Sequence, residues 1–237
     1  MKKLIKRIIA SCGKQPETYI RQQKCNLLKF AGWPSIALAS YPRSGNTWMR
    51  MMIEEATGLP SGSNYEDRFL NRDNYGIVIK THHLDRNKYR KAIIITRNPY
   101  DCIYSYFKWK TEISSKNKNT TWEEHLRNEI PKYKEHVNHW KKANMPKLWI
   151  RYEDIKKNPH KELNKVLKFI NYPLIIAKTN KAVEKTTLDT LKNLKHKDSN
   201  KFFNKGKSNY AKERYSKVEK KNLMKALASE MENFGYL

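Results

Sequence analysis

The chain has 237 residues, room for one sizeable α/β domain; 38% are hydrophobic, and 6 Trp, 14 Tyr and 7 Phe supply bulky core material. Lysine and arginine total 49 against 23 acidic residues, and this formal charge of +26 points to anionic partners: a nucleotide, an acidic glycan, nucleic acid or a membrane surface. The 3 cysteines have neither metal-ligand nor disulfide-framework spacing, which argues for a reducing, cytoplasmic compartment, and no apolar run reaches the ~20 residues of a membrane span.

Residues 1–33 read as a basic N-terminal helical segment and 34–237 as a single domain. Leu4, Ile5, Ile8, Ile9 and Cys12 fall on one helical face with cations opposite. That face is expected to pack on its own domain, with a weak membrane-surface contact through residues 1–14 as the alternative. Lys6 and Arg7 interrupt the apolar run that a signal peptide needs.

The stretch from Ser35 to Trp48 organises the domain. Ile36 to Ala39 is a short apolar run with the length and flanks of a buried strand. Pro42 sets φ at the next turn and biases Tyr41 to an extended shape. Gly45 allows the backbone to approach a ligand, and from Asn46 the pattern is helical, with Trp48, Met49, Met52 and Ile53 on one side. A strand, a tight small-residue loop and a helix N-terminus present backbone N–H groups and a positive dipole end to an anion. Arg43 adds a cation, and Ser44 and Thr47 add hydroxyls. The loop lacks the spacing of a Walker A motif, and no apolar strand ends in an Asp for magnesium, so no metal is expected.

Residues 59–75 read as a loop. Residues 76–82 form a second strand and 92–96 a third, the latter followed by a helix from Tyr100 to Lys110 with Pro99 in its first turn. Residues 111–120 read as a polar, mobile link. Thr120 or Thr121 caps a long helix through Trp140, which Pro131 should kink or split. Residues 147–151 form a fourth strand. Pro159 opens another helix, 178–194 form a weaker one, 195–216 a basic loop and about 217–234 a last helix. Strands alternating with helices indicate a parallel sheet covered on both faces.

Three strand ends carry polar clusters: Arg43 to Thr47, Lys80-Thr81-His82 and Arg97-Asn98-Pro99. In an open parallel sheet ligands lie beyond the C-terminal strand ends, so these clusters are expected to converge. Taken singly, each has a plainer reading: Lys80 as a solvated strand end, His82 as a cap or core histidine, Arg97 as an ion pair with Asp101.

With these clusters the chain resembles the sulfotransferases that use 3′-phosphoadenosine 5′-phosphosulfate (PAPS). Tyr41-Pro-Arg-Ser-Gly-Asn-Thr-Trp48 is similar to their 5′-phosphosulfate loop, and Arg97-Asn-Pro-Tyr-Asp with Ser105 eight residues after Arg97 is similar to their 3′-phosphate motif. Lys80-Thr-His82 matches the strand bearing their catalytic histidine, Tyr152-Glu-Asp a further family segment, and Phe203-Asn-Lys-Gly-Lys207 their late Arg-Lys-Gly loop. The resemblance implies a three-layer α/β/α, P-loop-like fold with a mostly parallel sheet of about five strands, four of which are placed above. It implies that Arg43, Ser44, Gly45, Asn46 and Thr47 hold the 5′-phosphosulfate with Trp48 beside the adenine. Arg97 and Ser105 would hold the 3′-phosphate with Lys205 and Gly206, and Tyr152 would belong to the same cofactor site. His82 would be the general base, with Arg43 and Lys80 steadying the sulfuryl oxygens.

The chain departs from the family at Arg43 for Lys, Asn46 for a hydroxyl residue, Asn204 for Arg and Asn209-Tyr210 in place of Gly-Asp-Trp. Arg43 is the residue of the glycan-sulfating branches, which leans toward a glycan acceptor; a small molecule is the other acceptor class. The competing readings are a P-loop-like kinase and a basic module for nucleic acid or anionic polysaccharide, although no nucleic-acid motif is present. Side-chain alternation puts Lys80 and His82 on one side of their strand and His83 on the other.

Overall fold

Five parallel strands form one sheet in the order β2-β3-β1-β4-β5: β1 (Ile36–Ser40), β2 (Gly62–Ser63), β3 (Ile79–Thr81), β4 (Lys91–Thr96) and β5 (Lys147–Arg151). The structure is a computed structural model that describes residues 16–64, 75–84, 87–114, 119–193 and 210–237. The basic face expected over residues 1–14 and the loop residues Asn204, Lys205, Gly206 and Asn209 lie outside the described residues. The helices are α1 (Pro16–Phe30), α2 (Asn46–Thr57), α3 (Pro99–Lys108), α4 (Trp122–Lys141), α5 (Tyr152–Lys157), α6 (Pro159–Phe169), α7 (Ile176–Lys185), α8 (Leu188–Lys192) and α9 (Lys217–Asn233).

Alternation along the central strands sets the layers. Ile36 and Leu38 of β1, with Ile93 and Ile95 of β4, pack on Met49, Met52 and Ile53 of α2 and Leu163, Val166 and Leu167 of α6. Ala37, Ala39, Ala92 and Ile94 point the other way, onto Trp140 of α4, which is fully buried. Small residues on this face leave room for the indole at interior packing density. A second cluster, Tyr41, Cys102, Ile103, Tyr133, Val137, Leu223 and Leu227, joins α3, α4 and α9 on that side. This is the three-layer α/β/α arrangement with a parallel sheet that the alternating elements imply.

Several elements depart from the sequence reading. The stretch read as a loop at 59–75 contains β2, the fifth strand, which pairs Gly62 and Ser63 with Ile79 and Lys80. Its regularity comes from β3's backbone, since glycine and serine carry no strand propensity. Pro131 does not split α4. It sits on the exposed side, where the carbonyl left without an intrahelical donor can face water. Residues 178–194 hold two short helices, α7 and α8. The helix after Pro99 passes into a π-turn at Trp109–Ile113. Of the two cap candidates, Thr121 accepts from Glu124 N; Asn158 likewise accepts from Lys161 N, and Ser216 with Glu219 forms a capping box.

Helix α1 is fastened to the sheet layer. Arg21 makes two hydrogen bonds to the Glu54 carboxylate and a third to the Ser61 carbonyl, and the helix buries its own Cys25 and Leu28.

Candidate active site

Strand β1 is flanked by β3 on one side and β4 on the other, so the chain leaves it in two directions and opens a crevice at its C-terminal end. The turn there holds two left-handed residues close together, Arg43 at φ 66° and Gly45 at φ 90°. A left-handed arginine costs on the order of 1 kcal/mol, and such strain is typical of ligand-binding turns. Gly45 is the N-cap of α2 and, among the described residues, no side chain caps it, which leaves first-turn N–H groups for an anion. The Ser44 hydroxyl is buried without a partner among the described residues. Asn46 behaves differently: its amide nitrogen is spent on the Leu38 carbonyl (2.8 Å) and Ser40 Oγ (3.2 Å), so it ties the turn to β1 and the donor left for an anion is its backbone N–H. Thr47 is buried in the same first turn.

Tyr152, the first residue of α5, forms the floor. A Cβ on Gly45 would lie 2.6 Å from the Tyr152 ring, so glycine is required here both by φ and by space. Trp48 meets the same ring edge-on at 6.2 Å and donates from Nε1 to the Thr186 carbonyl at 2.8 Å. The Arg97 guanidinium carbon lies 4.4 Å from the centre of the Tyr152 ring.

Arg97 follows β4 directly. Its Nη1 donates to the Arg43 carbonyl at 2.9 Å, and its Nη2 is 3.9 Å from the Asp101 carboxylate, so the plain helix-start ion pair is present as well. Asp101 uses its other oxygen to accept from the backbone N–H groups of Tyr210 and Ala211, each at 3.1 Å. Across the crevice the Arg43 Nε donates to Ser105 Oγ at 3.2 Å. Burial, and then the charge of Arg97, lower Arg43 to about 10, so its guanidinium remains cationic at neutral pH. Two cations held against mutual repulsion, with serine and tyrosine hydroxyls beside them, fit a multiply charged anion.

On the β3 side, His82 stands just past the strand and its Nδ1 is 2.6 Å from the Ser40 carbonyl. A carbonyl only accepts, so Nδ1 carries a proton, and in the neutral imidazole the lone pair is then on Nε2. Lys80 is half-buried, in register with Leu38 of β1 and Ser63 of β2, and His83 is exposed. The buried His136 of α4 faces the same end of the sheet: burial, then the proximity of His82 and His139, press it down to about 3, so it is neutral. Tyr41 is anchored from below, its hydroxyl donating to Glu129 at 2.7 Å, and Glu129 also receives Lys110 at 2.8 Å.

Known proteins resemble the chain in sequence and in fold. The family model described as "Sulfotransferase domain" matches residues 78–234. The chain belongs to the sulfotransferase domain family. A curated relative, a WSCD family member of Aedes aegypti, is 28% identical over 161 residues, 58% of this chain and 50% of that protein. Sulfotransferase 1A1 of Rattus norvegicus is 26% identical over 210 residues, 70% of each chain. This family member thus spans about half the length of the WSCD relatives. Among solved structures, mouse sulfotransferase SULT7A1 complexed with PAP superposes with a TM-score of 0.69 at 22% identity over 84% of each chain. Retinol dehydratase in complex with androsterone and the inactive cofactor PAP gives 0.64 at 17% identity, covering 83% of this chain and 80% of that one.

The structure therefore brings Arg43, Ser44, Gly45, Arg97, Ser105 and Tyr152 to one crevice, with His82 at its β3 edge. Residues that the sequence reading did not assign also stand there. Asp101 lies inside a recognised motif, but nothing in the motif says that its carboxylate receives Tyr210 and Ala211, 109 and 110 residues away. Glu129 and His136 carry no sequence signal beyond their places on an amphipathic helix.

Proposed function

We propose that the chain transfers a sulfuryl group from PAPS to an acceptor hydroxyl, on a glycan or a small molecule, with His82 as general base. The observation that carries this reading is the chain of contacts from Arg97 to the Arg43 carbonyl and from the Arg43 guanidinium to Ser105, at the β1–β4 side of a helix N-terminus, with a histidine bonded to β1 on the β3 side. Two neighbours in the fold are complexed with PAP, which supports the choice of nucleotide, and androsterone in one of them is a small hydroxylated molecule. PAPS would supply the sulfuryl group and, as its product, adenosine 3′,5′-bisphosphate.

Each residue has its share of the work. The first-turn N–H groups of α2, the Ser44 hydroxyl and the backbone of Asn46 and Thr47 hold the 5′ anion. Arg97 and Ser105 hold the 3′-phosphate, and Trp48 and Tyr152 shape the wall between them. His82, its Nδ1–H fixed on Ser40, directs Nε2 at the acceptor hydroxyl and takes its proton. Arg43 and Lys80 offset negative charge on the sulfuryl oxygens, a preorganised electrostatic stabilisation. Arg43 is a fork of donors that keeps its proton, so it acts by charge and hydrogen bonding alone.

The test is transfer of labelled sulfate from PAPS across a panel of phenols, glycans, amines and lipids, run with and without EDTA. Among the described residues no group of three carboxylate, histidine or cysteine side chains is gathered as a metal site. We expect a hydroxyl acceptor to be labelled to the same extent in EDTA. No labelled acceptor, or a chelator-sensitive reaction restored by magnesium, overturns the proposal.

A further inference from the structure

Asn46 stands where the family has a hydroxyl residue, and its side chain is buried against β1. The Leu38 carbonyl, 2.8 Å from Nδ2, can only accept, so the nitrogen of the amide must face it and the orientation of the group is fixed. The same NH₂ also donates to Ser40 Oγ at 3.2 Å. A hydroxyl has one proton and could not serve both acceptors, whereas an amide clamps two alternate residues of β1 at once. The clamped end of β1 is also the end that holds the histidine. Backbone pairing between β1 and β3 stops at Ala39 and Thr81. One residue further along, the His82 side chain takes over the pairing, its Nδ1 2.6 Å from the Ser40 carbonyl and 3.5 Å from Ser40 Oγ. Ser40 therefore receives Asn46 on its hydroxyl and His82 on its carbonyl, so the first turn of α2 and the end of β3 meet on one buried serine.

We propose that the Asn46 side chain is a positioning residue for the general base: by holding Ser40, its amide fixes the carbonyl on which the His82 imidazole is oriented. The inference rests on the sulfuryl-transfer reading above, with His82 as base, and adds the residue that acts on that base from the nucleotide turn. The two parts of Asn46 then do different work. Its backbone N–H is left for the 5′ anion, and its side chain serves the histidine. An imidazole whose Nδ1–H slips from its acceptor turns Nε2 off the acceptor hydroxyl, and a misplacement of about 1 Å at a reacting group can cost about 10² in rate. Loss of the side chain should therefore act on kcat and spare nucleotide affinity.

The test uses Asn46→Ala, Ser40→Ala and His82→Ala in the full chain, with Asn46→Ala also combined with each of the others. Rates are read as transfer of labelled sulfate from PAPS to the best hydroxyl acceptor of the panel above, and affinity by calorimetry with adenosine 3′,5′-bisphosphate. We expect Asn46→Ala and Ser40→Ala each to lower kcat roughly tenfold with bisphosphate affinity unchanged, and to lose little more when combined, as residues of one network do. In the His82→Ala background, Asn46→Ala should cost nothing further, since the base it positions is gone. The ¹⁵N resonances of the His82 ring at mildly alkaline pH need no acceptor: they should report the Nδ1–H tautomer in the wild type and a mixture with Nε2–H in Asn46→Ala. Unchanged kcat and tautomer in Asn46→Ala would overturn the proposal. So would a bisphosphate affinity that falls as far as kcat, or a tenfold loss that persists without His82. If Asn46→Ala shows no cooperative thermal transition, Ser40→Ala carries the same test, because it keeps the carbonyl and nearly all of the side-chain volume. A fully active His82→Ala would sink the base assignment and this inference together, whereas an impaired His82→Ala beside a fully active Asn46→Ala removes only the inference.

Discussion

His82 and His83 are neighbours with different surroundings. His82 is half-buried, with Nδ1 on the Ser40 carbonyl, and His83 is exposed, its backbone N–H on Thr81 Oγ1 at 3.0 Å. β3 ends at Thr81, so the expected alternation does not carry through His82 as a regular strand. What aims His82 at the crevice is its bond to β1. Loss of a general base costs roughly 10²–10⁴ in rate. His82→Ala is therefore expected to lower kcat by about that range with little change in nucleotide affinity, and His83→Ala to keep most of the rate. Steady-state kinetics of both variants with bisphosphate binding as a control checks this. A dead His83→Ala beside an active His82→Ala would exchange their roles.

Helix α4 carries buried polar groups, His125, Glu129 and His136, that pack in an apolar layer. Burial alone would raise the Glu129 carboxyl, but Lys110, Tyr41 and Lys132 hold it below the usual carboxylate range. His125, one turn earlier, donates from Nε2 to the Ile103 carbonyl at 2.9 Å, and burial lowers it to about 4, with Lys110, Glu129 and Lys132 as its charged neighbours. His136 is lowered further, to about 3, beside His82 and His139. Both histidines titrate near 6.5 when the chain unfolds. As pH falls below that value the unfolded chain takes up protons that the native chain refuses, so stability drops between about pH 6.5 and about 4. Glu129, with its depressed pKa, adds to the loss at the acid end. Urea midpoints measured from pH 7 to 4.5 should fall, and His125→Phe and His136→Phe should each make that fall shallower. A slope unchanged in both variants would rule out the histidines as its source.

At the scale of the whole molecule, the segment matched by the family and the segment needed to fold are different. The match covers 78–234, but the central strand β1 and helix α2 lie upstream of it. Both neighbours of β1 would lose their partner, and Ile36, Leu38, Met49, Met52 and Ile53, all fully buried, would leave the core. Burial of each such side chain stabilises by roughly 1.5–3 kcal/mol, so their joint loss is of the order of a domain's entire ~5–15 kcal/mol. A chain restricted to 78–237 is expected to show no cooperative thermal transition by circular dichroism, while the full chain shows one. A cooperative transition in the shorter chain would place the folding unit elsewhere.

Strands β1 and β4 are legible from the residues alone, since Ile36 to Ala39 and Ala92 to Thr96 are apolar and β-branched runs with polar strand ends. So is the α2 turn, where Gly45 stands between hydroxyl and cationic residues, and so is the cap at Thr121, because those signals act over three or four residues. Contacts over longer separations become visible only in the folded chain. β2 exists because β3 lies beside it, and α4 stays whole because packing outweighs one lost hydrogen bond at Pro131. Asn46 turned inward because the Leu38 carbonyl needed a donor, and Arg43 reached Ser105 because Arg97 holds its carbonyl from the next strand. Tyr210 entered the crevice because a buried Asp101 had two acceptor positions to fill. In each case a buried polar group must find a partner, and the partner's distance along the chain is set by the sheet order.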